Sequence, residues 1–321
     1  MALRAVIASL VLAVSSVVAH AEPVAYGEAF DTLYAFDLST RAAAPIGAAG
    51  TYGGAALANI SGLTFSPDGQ HLYAVSDTLL KVLMTIDRGS GMATVIGPLG
   101  GGSGLGDSGQ GSFNVLDLGL SFTCDGRLWL SAGATGSLWQ VDPNSAGVTR
   151  VGNTGVTITG LTARGNELFG AGSHNDPNLY RIDTKTAKAT SVGHYGTTDP
   201  ITTASPGFDA TGQLWLVVDN VPPLPPLTSQ PQWSSLAKIG NGGSLAVTGD
   251  IAVPNGSRYP TNATQLPYVG IKGLAIASPC SIAQVSATNR TPSLSPAGVM
   301  LLALLLAALA GTSLRLHRRS S

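Results

Sequence analysis

Charge is scarce in this chain. Only 11% of its 321 residues are Asp, Glu, Lys or Arg, and only 6% are aromatic. No basic run breaks the sequence between its two ends, which excludes nucleic acid as a partner, because phosphate binding needs a positive face. The formal charge of −1 understates this. Setting aside Arg4, Arg315, Arg318 and Arg319 leaves 13 basic against 18 acidic residues, or −5 for the middle. Glutamate occurs only at Glu22, Glu28 and Glu167. A calcium site that takes several inward carboxylates is poorly supplied by so few. Between the ends the histidines are His71, His174 and His194, without the spacing of zinc ligands. Long helical periodicity is missing too, except at the termini. What remains is 41 glycines and many short apolar runs, the composition of short strands joined by turns.

One of those runs is repeated five times. Aligned on Asp37, Asp87, Asp142 and Asp183, with Gly240 in the fifth copy, a Leu stands four residues earlier: Leu33, Leu83, Leu138, Leu179 and Leu236. Phe36, Ile86, Val141, Ile182 and Ile239 stand one earlier, and Gly47, Gly97, Gly152 and Gly193 ten later, with Asp250 closing the last copy. The alternating run before each Asp reads as a half-buried strand. The Asp opens a polar turn, where its carboxylate accepts backbone N–H groups. A second short strand follows and is predicted to stop at the glycine.

Each hairpin is preceded by another pair of strands. Gly62-Leu63-Thr64-Phe65 and Leu72-Tyr73-Ala74-Val75 flank a Ser-Pro-Asp-Gly turn, and the pattern recurs from Gly119, Gly160 and Pro206. Four strands per unit, at spacings of 41 to 57 residues, mark a β-propeller blade. Near the end, Gly273 to Ala277 supply a first strand with nothing after it. Near the start, the segment at Tyr26 and the Leu33 hairpin supply strands two to four with nothing before them. Joining the two predicts an all-β, five-bladed propeller over 22–280, closed by both termini, which removes the open sheet edge.

The turns between strands one and two, and three and four, are uniformly tight and are predicted to share one face. The connections 48–61, 98–118, 194–205, 220–234 and 252–269 are irregular in length and fall on the other. Loops of this kind on a rigid scaffold usually carry function. The candidate binding residues are therefore Tyr52, Asp107, Phe113, Asn114, His174, Asp176, His194, Tyr195, Trp233, Arg258, Tyr259 and Tyr268. No catalytic set converges. Gly104, Gly106 and Gly109 have the letters of a dinucleotide fingerprint but join no strand to a helix. Ser108, in Gly-Asp-Ser-Gly, has no histidine in a matching context. No metal or other cofactor is expected. The alternative is one Ca²⁺, gathered from singly scattered Asp77, Asp107, Asp117, Asp176 and Asp219. Cys124 and Cys280, both predicted on the tight-turn side, form either a disulfide or two separate thiols.

The ends give an address. Arg4, an apolar segment and Ala19-His20-Ala21 make 1–21 a secretory signal helix, with the mature chain beginning at Glu22. A polar linker, 281–296, leads into 18 residues of almost no polarity, 297–314, which as a helix span about 27 Å, enough to cross a bilayer core. Arg315, His317, Arg318 and Arg319 follow, so the tail 315–321 is expected in the cytoplasm and the propeller outside the inner membrane. Thr291-Pro292-Ser293-Leu294-Ser295, then Gly298, the span and its arginines, resemble the C-terminal sorting domain named for its Ile-Pro-Thr-Leu motif (IPTL-CTERM). Thr291 replaces Ile, Ser293 replaces Thr, and Ala297 stands where Trp is usual. The resemblance implies an exported protein of a Gram-negative bacterium, held transiently by the membrane and recognised by an exosortase-like enzyme before transfer to the surface or medium. The hairpins also resemble the Leu-Tyr-x-x-Asp repeats of bacterial secreted propellers. The expected function is non-enzymatic binding of an unidentified glycan or protein at the cell surface. The alternatives are a Ca²⁺-dependent propeller hydrolase of the lactonase type and a purely structural envelope protein.

Overall fold

A computed structural model of the chain describes residues 24–29, 31–76, 81–99, 117–133, 135–172, 176–196, 201–220, 233–240, 244–257, 266–268, 271–276 and 280. They form five four-stranded antiparallel sheets and two small hairpins. Blade 1 joins Lys272–Ile276, Val24–Ala29, Thr32–Asp37 and Ala43–Ala48, in that order from first strand to fourth. Blade 2 is Ile60–Phe65, Leu72–Ser76, Val82–Ile86 and Ala93–Pro98. Blade 3 is Leu118–Phe122, Leu128–Ala132, Ser137–Val141 and Val148–Asn153. Blade 4 is Gly160–Arg164, Glu167–Ala171, Asn178–Ile182 and Ala189–His194. Blade 5 is Ile201–Phe208, Leu214–Asn220, Trp233–Ile239 and Leu245–Asp250.

The two ends of the propeller share blade 1. Ala25 pairs with Ile276 and Tyr26 with Ala275, antiparallel, as the strand arithmetic of the sequence requires. The five first strands then touch one another in sequence round a ring, blade 5 meeting blade 1. A ring of only five must bring those strands close. Glycine is what permits it: a Cβ on Gly62 would lie 2.8 Å from the Leu118 carbonyl oxygen, and one on Gly160 2.4 Å from that of Ala204. The pairing of the two ends covers the edge that the second strand of blade 1 would otherwise expose. The core lies in the seams between blades, where large apolar side chains of the middle strands meet. Tyr26 packs edge-on to Phe65 across one seam, Tyr73 to Phe122 across the next, and Phe169 to Phe208 across a third.

The repeated Asp is a turn residue. The Asp37 carboxylate accepts the Ser39 and Thr40 N–H groups at 2.8 and 2.7 Å. Asp87 accepts those of Gly89 and Ser90, and Asp183 those of Lys185 and Thr186. Four residues after each Asp the chain turns left-handed, at Arg41, Gly91, Ala146 and Ala187, so only one copy spends a glycine there.

Four details differ from the sequence expectation. The fourth strands do not stop at the repeat glycine but run one residue past it, and Gly47, Gly97, Gly152 and Gly193 each pair with the repeat Leu beside a bulge. The first strand of blade 5 begins at Ile201, not at Pro206, since its ladder with Leu214–Asn220 extends that far. Two expected loops contain hairpins, Thr51–Tyr52 with Ala55–Ala56 and Ala252–Ser257 with Leu266–Tyr268. The two-face division also fails at the rim. The end of the fourth strand of blade 1 meets the turn between strands three and four of blade 2, where Ala93 N–H donates to the Ala49 carbonyl at 3.0 Å. Sheet twist carries each outer strand round toward its neighbour. The expected signal segment 1–21, linker 281–296, sorting motif, span 297–314 and tail 315–321 lie outside the described residues.

Candidate functional site

Of the twelve expected binding residues, four are described with their side chains. Tyr52 is 38% exposed on the small hairpin after blade 1. Asp176, His194 and Tyr195 gather at one end of blade 4. The backbone puts Trp233 at the start of the third strand of blade 5 and Tyr268 in the second small hairpin. Asp107, Phe113, Asn114, His174, Arg258 and Tyr259 lie outside the described residues.

The blade 4 group is a hydrogen-bond network. The Asp176 carboxylate accepts the Tyr180 hydroxyl at 2.7 Å and the Asn178 side-chain amide. The Asn178 Oδ1 lies 2.9 Å from His194 Nδ1. Burial, reinforced by Asp176 as acceptor and as a charge, pushes the Tyr180 phenol up to about 12. Tyr195 corrects the expectation. It is 2% exposed, its hydroxyl donates to the Gly172 carbonyl at 2.9 Å, and its N–H donates to that of Pro177. It is a strut tied to Gly172 and Pro177, with almost no surface left for a ligand. Asn178 and Tyr180 went unnoticed in the sequence because they stand inside the repeat. The equivalent of Tyr180 is Tyr34, Met84, Trp139 or Ala237 in the other copies, which reads as core.

A second constellation lies where the first strands begin, at the axial mouth on the side of the long connections. The Lys272 ammonium of blade 1 reaches 3.2 Å to the Asp117 carboxylate at the entry to blade 3. Hydroxyls stitch the inner strands together below it. Ser61 accepts the Leu118 N–H at 3.2 Å, Thr159 that of Ala204 at 3.2 Å, and Ser205 that of Gly273 at 3.0 Å. Glu28, opposite Lys272 in the register, is fully buried, and neither carboxyl oxygen has a hydrogen-bond partner. Burial pushes its carboxyl well above the usual range, and the negative charge of Asp31 adds to the shift.

The opposite end of the axis is narrow. A cavity of about 40 Å³ remains there, walled by Leu63, Phe65, Phe122, Leu161, Phe208 and Ile276. Cys280 lines the same cavity and is bonded to Cys124, with 5.4 Å between their Cα atoms. The disulfide alternative of the sequence is thus the one realised. Among the described residues no three or more Asp, Glu, His or Cys side chains converge as metal ligands. Of the carboxylates weighed for calcium, Asp117 and Asp176 stand in different blades and are spent on Lys272 and Tyr180.

A family profile described as "Repeat of unknown function (DUF6923)" matches residues 24–216, which hold the last three strands of blade 1, blades 2 to 4 and the opening of blade 5. No curated protein matches. Among solved structures, a chain of a nidogen/laminin complex is similar over 80% of this chain and 99% of its own, at 11% identity and a TM-score of 0.46. A protein of unknown function from Bacteroides thetaiotaomicron is similar over 61% of this chain and 53% of its own, at 15% identity and a TM-score of 0.42. Regucalcin, a calcium-binding protein from Agrobacterium tumefaciens, is similar over 60% and 63%, at 12% identity and a TM-score of 0.39. These are likenesses of fold alone.

Proposed function

Because the chain belongs to a repeat family of unknown function, DUF6923, the reading must come from its own geometry, and we propose that it is an exported, non-enzymatic binding module. One observation carries this. The end of the axis where the tight turns meet narrows to a small cavity of about 40 Å³, with Cys280 of the disulfide in its wall, while the variation in chain length falls on the connections at the other end. A scaffold built in this way offers contact surface rather than a reaction chamber. The ligand class is a glycan or a protein at the cell surface. The small hairpin bearing Tyr52 and the Asp176–Asn178–His194 network supply the aromatic and polar contacts such ligands use.

Export is supported by the leader-like start and by the disulfide, which persists in oxidising compartments. The Pro292-Ser293-Leu294-Ser295 segment, the apolar run and the arginines support recognition by an exosortase-like sorting enzyme, with transient anchoring in the inner membrane. The test has two arms. The exported protein, purified from a Gram-negative host, is applied to glycan and protein arrays, and wild type is compared with His194→Ala and Tyr52→Ala. Binding that either variant weakens supports the reading. Turnover in an unbiased hydrolase screen, abolished by chelation, would instead establish the Ca²⁺-dependent alternative. For the address, the mass of the released protein reports whether the chain is cut near Ser295. A full-length chain in the medium would refute sorting.

A further inference from the structure

A carboxylate can only accept hydrogen bonds, and that orients the whole network at the end of blade 4. The half of the Asn178 amide that faces Asp176 must be its NH₂ group, which donates to Asp176 Oδ1 and, at 3.4 Å, to the Tyr180 oxygen. The other half, Oδ1, lies 2.9 Å from His194 Nδ1 and can only accept. In the neutral ring Nδ1 therefore carries the proton, and Nε2 keeps its lone pair. The ring is exposed. Gly196 leaves room beside that nitrogen, since a Cβ there would lie 3.2 Å from Nε2 and the backbone turns left-handed at φ 36°. Asp176 is half-buried, and no Lys or Arg pairs with it among the described residues. Tyr180 and Asn178 make three contacts to a carboxylate that has roughly four acceptor positions, so one is left.

We propose that this end of blade 4 binds an amino sugar, its ammonium at the Asp176 carboxylate and a hydroxyl of the same residue donating to His194 Nε2. Both free positions of the site are acceptors, so the ligand must bring donors. From the carboxylate to Nε2 the path runs through two hydrogen bonds, one amide and one imidazole, which puts the two acceptors at most about 10 Å apart. One hexose with a hydrogen bond at each end spans that gap. An acidic sugar would be repelled by Asp176, and an N-acetylated one would bring it no cation. The net negative charge of the chain between its ends draws the same ligand from a distance. The two tyrosines of the group, which could anchor a protein partner, are turned inward at 7% and 2% exposure. The inference rests on the reading of the propeller as a glycan-binding module.

The test is a matched pair of probes. The exported protein is titrated by calorimetry with a glucosamine hexamer and with the same hexamer N-acetylated. The amine form is expected to bind about tenfold tighter or more, and Asp176→Asn and His194→Ala are each expected to weaken it by a similar factor. Equal affinity for the two hexamers, no binding of either, or equal binding of a lysine hexapeptide overturns the assignment. Its failure is separable from that of the wider reading. If the arrays find another ligand that His194→Ala weakens, the propeller binds through this end but not by an amino sugar. If they find none, the binding reading falls as well. A second measurement needs no ligand. In ¹⁵N-histidine-labelled protein the neutral His194 ring, identified by its loss in His194→Ala, is expected as the Nδ1–H tautomer, and Asn178→Leu is expected to release it to a mixture. An Nε2–H ring in wild type would remove the acceptor and overturn the proposal.

Discussion

Asp142 shows how a surface residue carries a fold. Its carboxylate accepts the Asn144 N–H at 2.9 Å and the Ser145 hydroxyl at 2.7 Å, and these bonds hold it below the usual carboxylate range. A carboxylate depressed by folding contributes stability that is present above its unfolded value of about 3.9 and is lost as pH falls through the folded one. Asp142→Ala is expected to melt below wild type at pH 7, with the gap closing in melts taken near pH 2. A gap equal at both pH values would show that the side chain acts through something other than its charge. This role was legible in the sequence, because Asp before a short polar run has few other uses. The reverse holds for Tyr195. An aromatic beside a histidine in a connection reads as ligand surface, and nothing in the local sequence says that its hydroxyl is taken by the Gly172 carbonyl 23 residues earlier.

At the scale of the hairpin the informative residue is the repeat glycine. The sequence pattern marks its place but misstates its purpose. It reads as a strand terminator, yet the strand continues, and the glycine is kept because the next blade comes too near. A Cβ on Gly47 would lie 2.1 Å from the Ser90 carbonyl oxygen, in the following turn between strands three and four. On Gly152 it would lie 2.8 Å from that of Thr186, and on Gly97 3.3 Å from that of Ser145. The obstacle is backbone, which cannot rotate aside as a side chain would. Gly47→Ala is expected to lose about 1–3 kcal/mol by urea unfolding, whereas Gly97→Ala should lose less than about 1 kcal/mol. Similar losses for the two would mean that the bulge, and not the neighbouring turn, demands glycine. The spacing to a neighbouring blade cannot be read from one repeat, because it depends on how many blades share the ring.

For the whole molecule the count of strands was decisive, since an orphan first strand and three orphan partners could only be completed by each other. The cysteine pairing could not be counted in this way. Two turns at one end of an axis may or may not meet, and only the small radius of a five-membered ring brings Cys280 within 5.4 Å (Cα to Cα) of Cys124. The bond has a particular consequence, because it skips a blade. It ties the segment after the closing strand of blade 1 to the first turn of blade 3, so it holds that strand even when its own ladder opens. With the two cysteines separated by 156 positions in sequence, chain entropy alone allows about 5 kcal/mol, and removal of such a bond typically costs about 2–5 kcal/mol. Reduction is expected to lower stability to urea by that much, and alkylation without reductant should find no thiol. The distinguishing outcome is local. Under reducing conditions, well below the unfolding midpoint, amides of 272–276 are expected to exchange faster than those of Leu128–Ala132, which do not depend on closure. If both strands quicken together, the disulfide acts only on the unfolded chain. If only the closing strand does, the two devices at the seam, strand pairing and covalent bond, protect the same step.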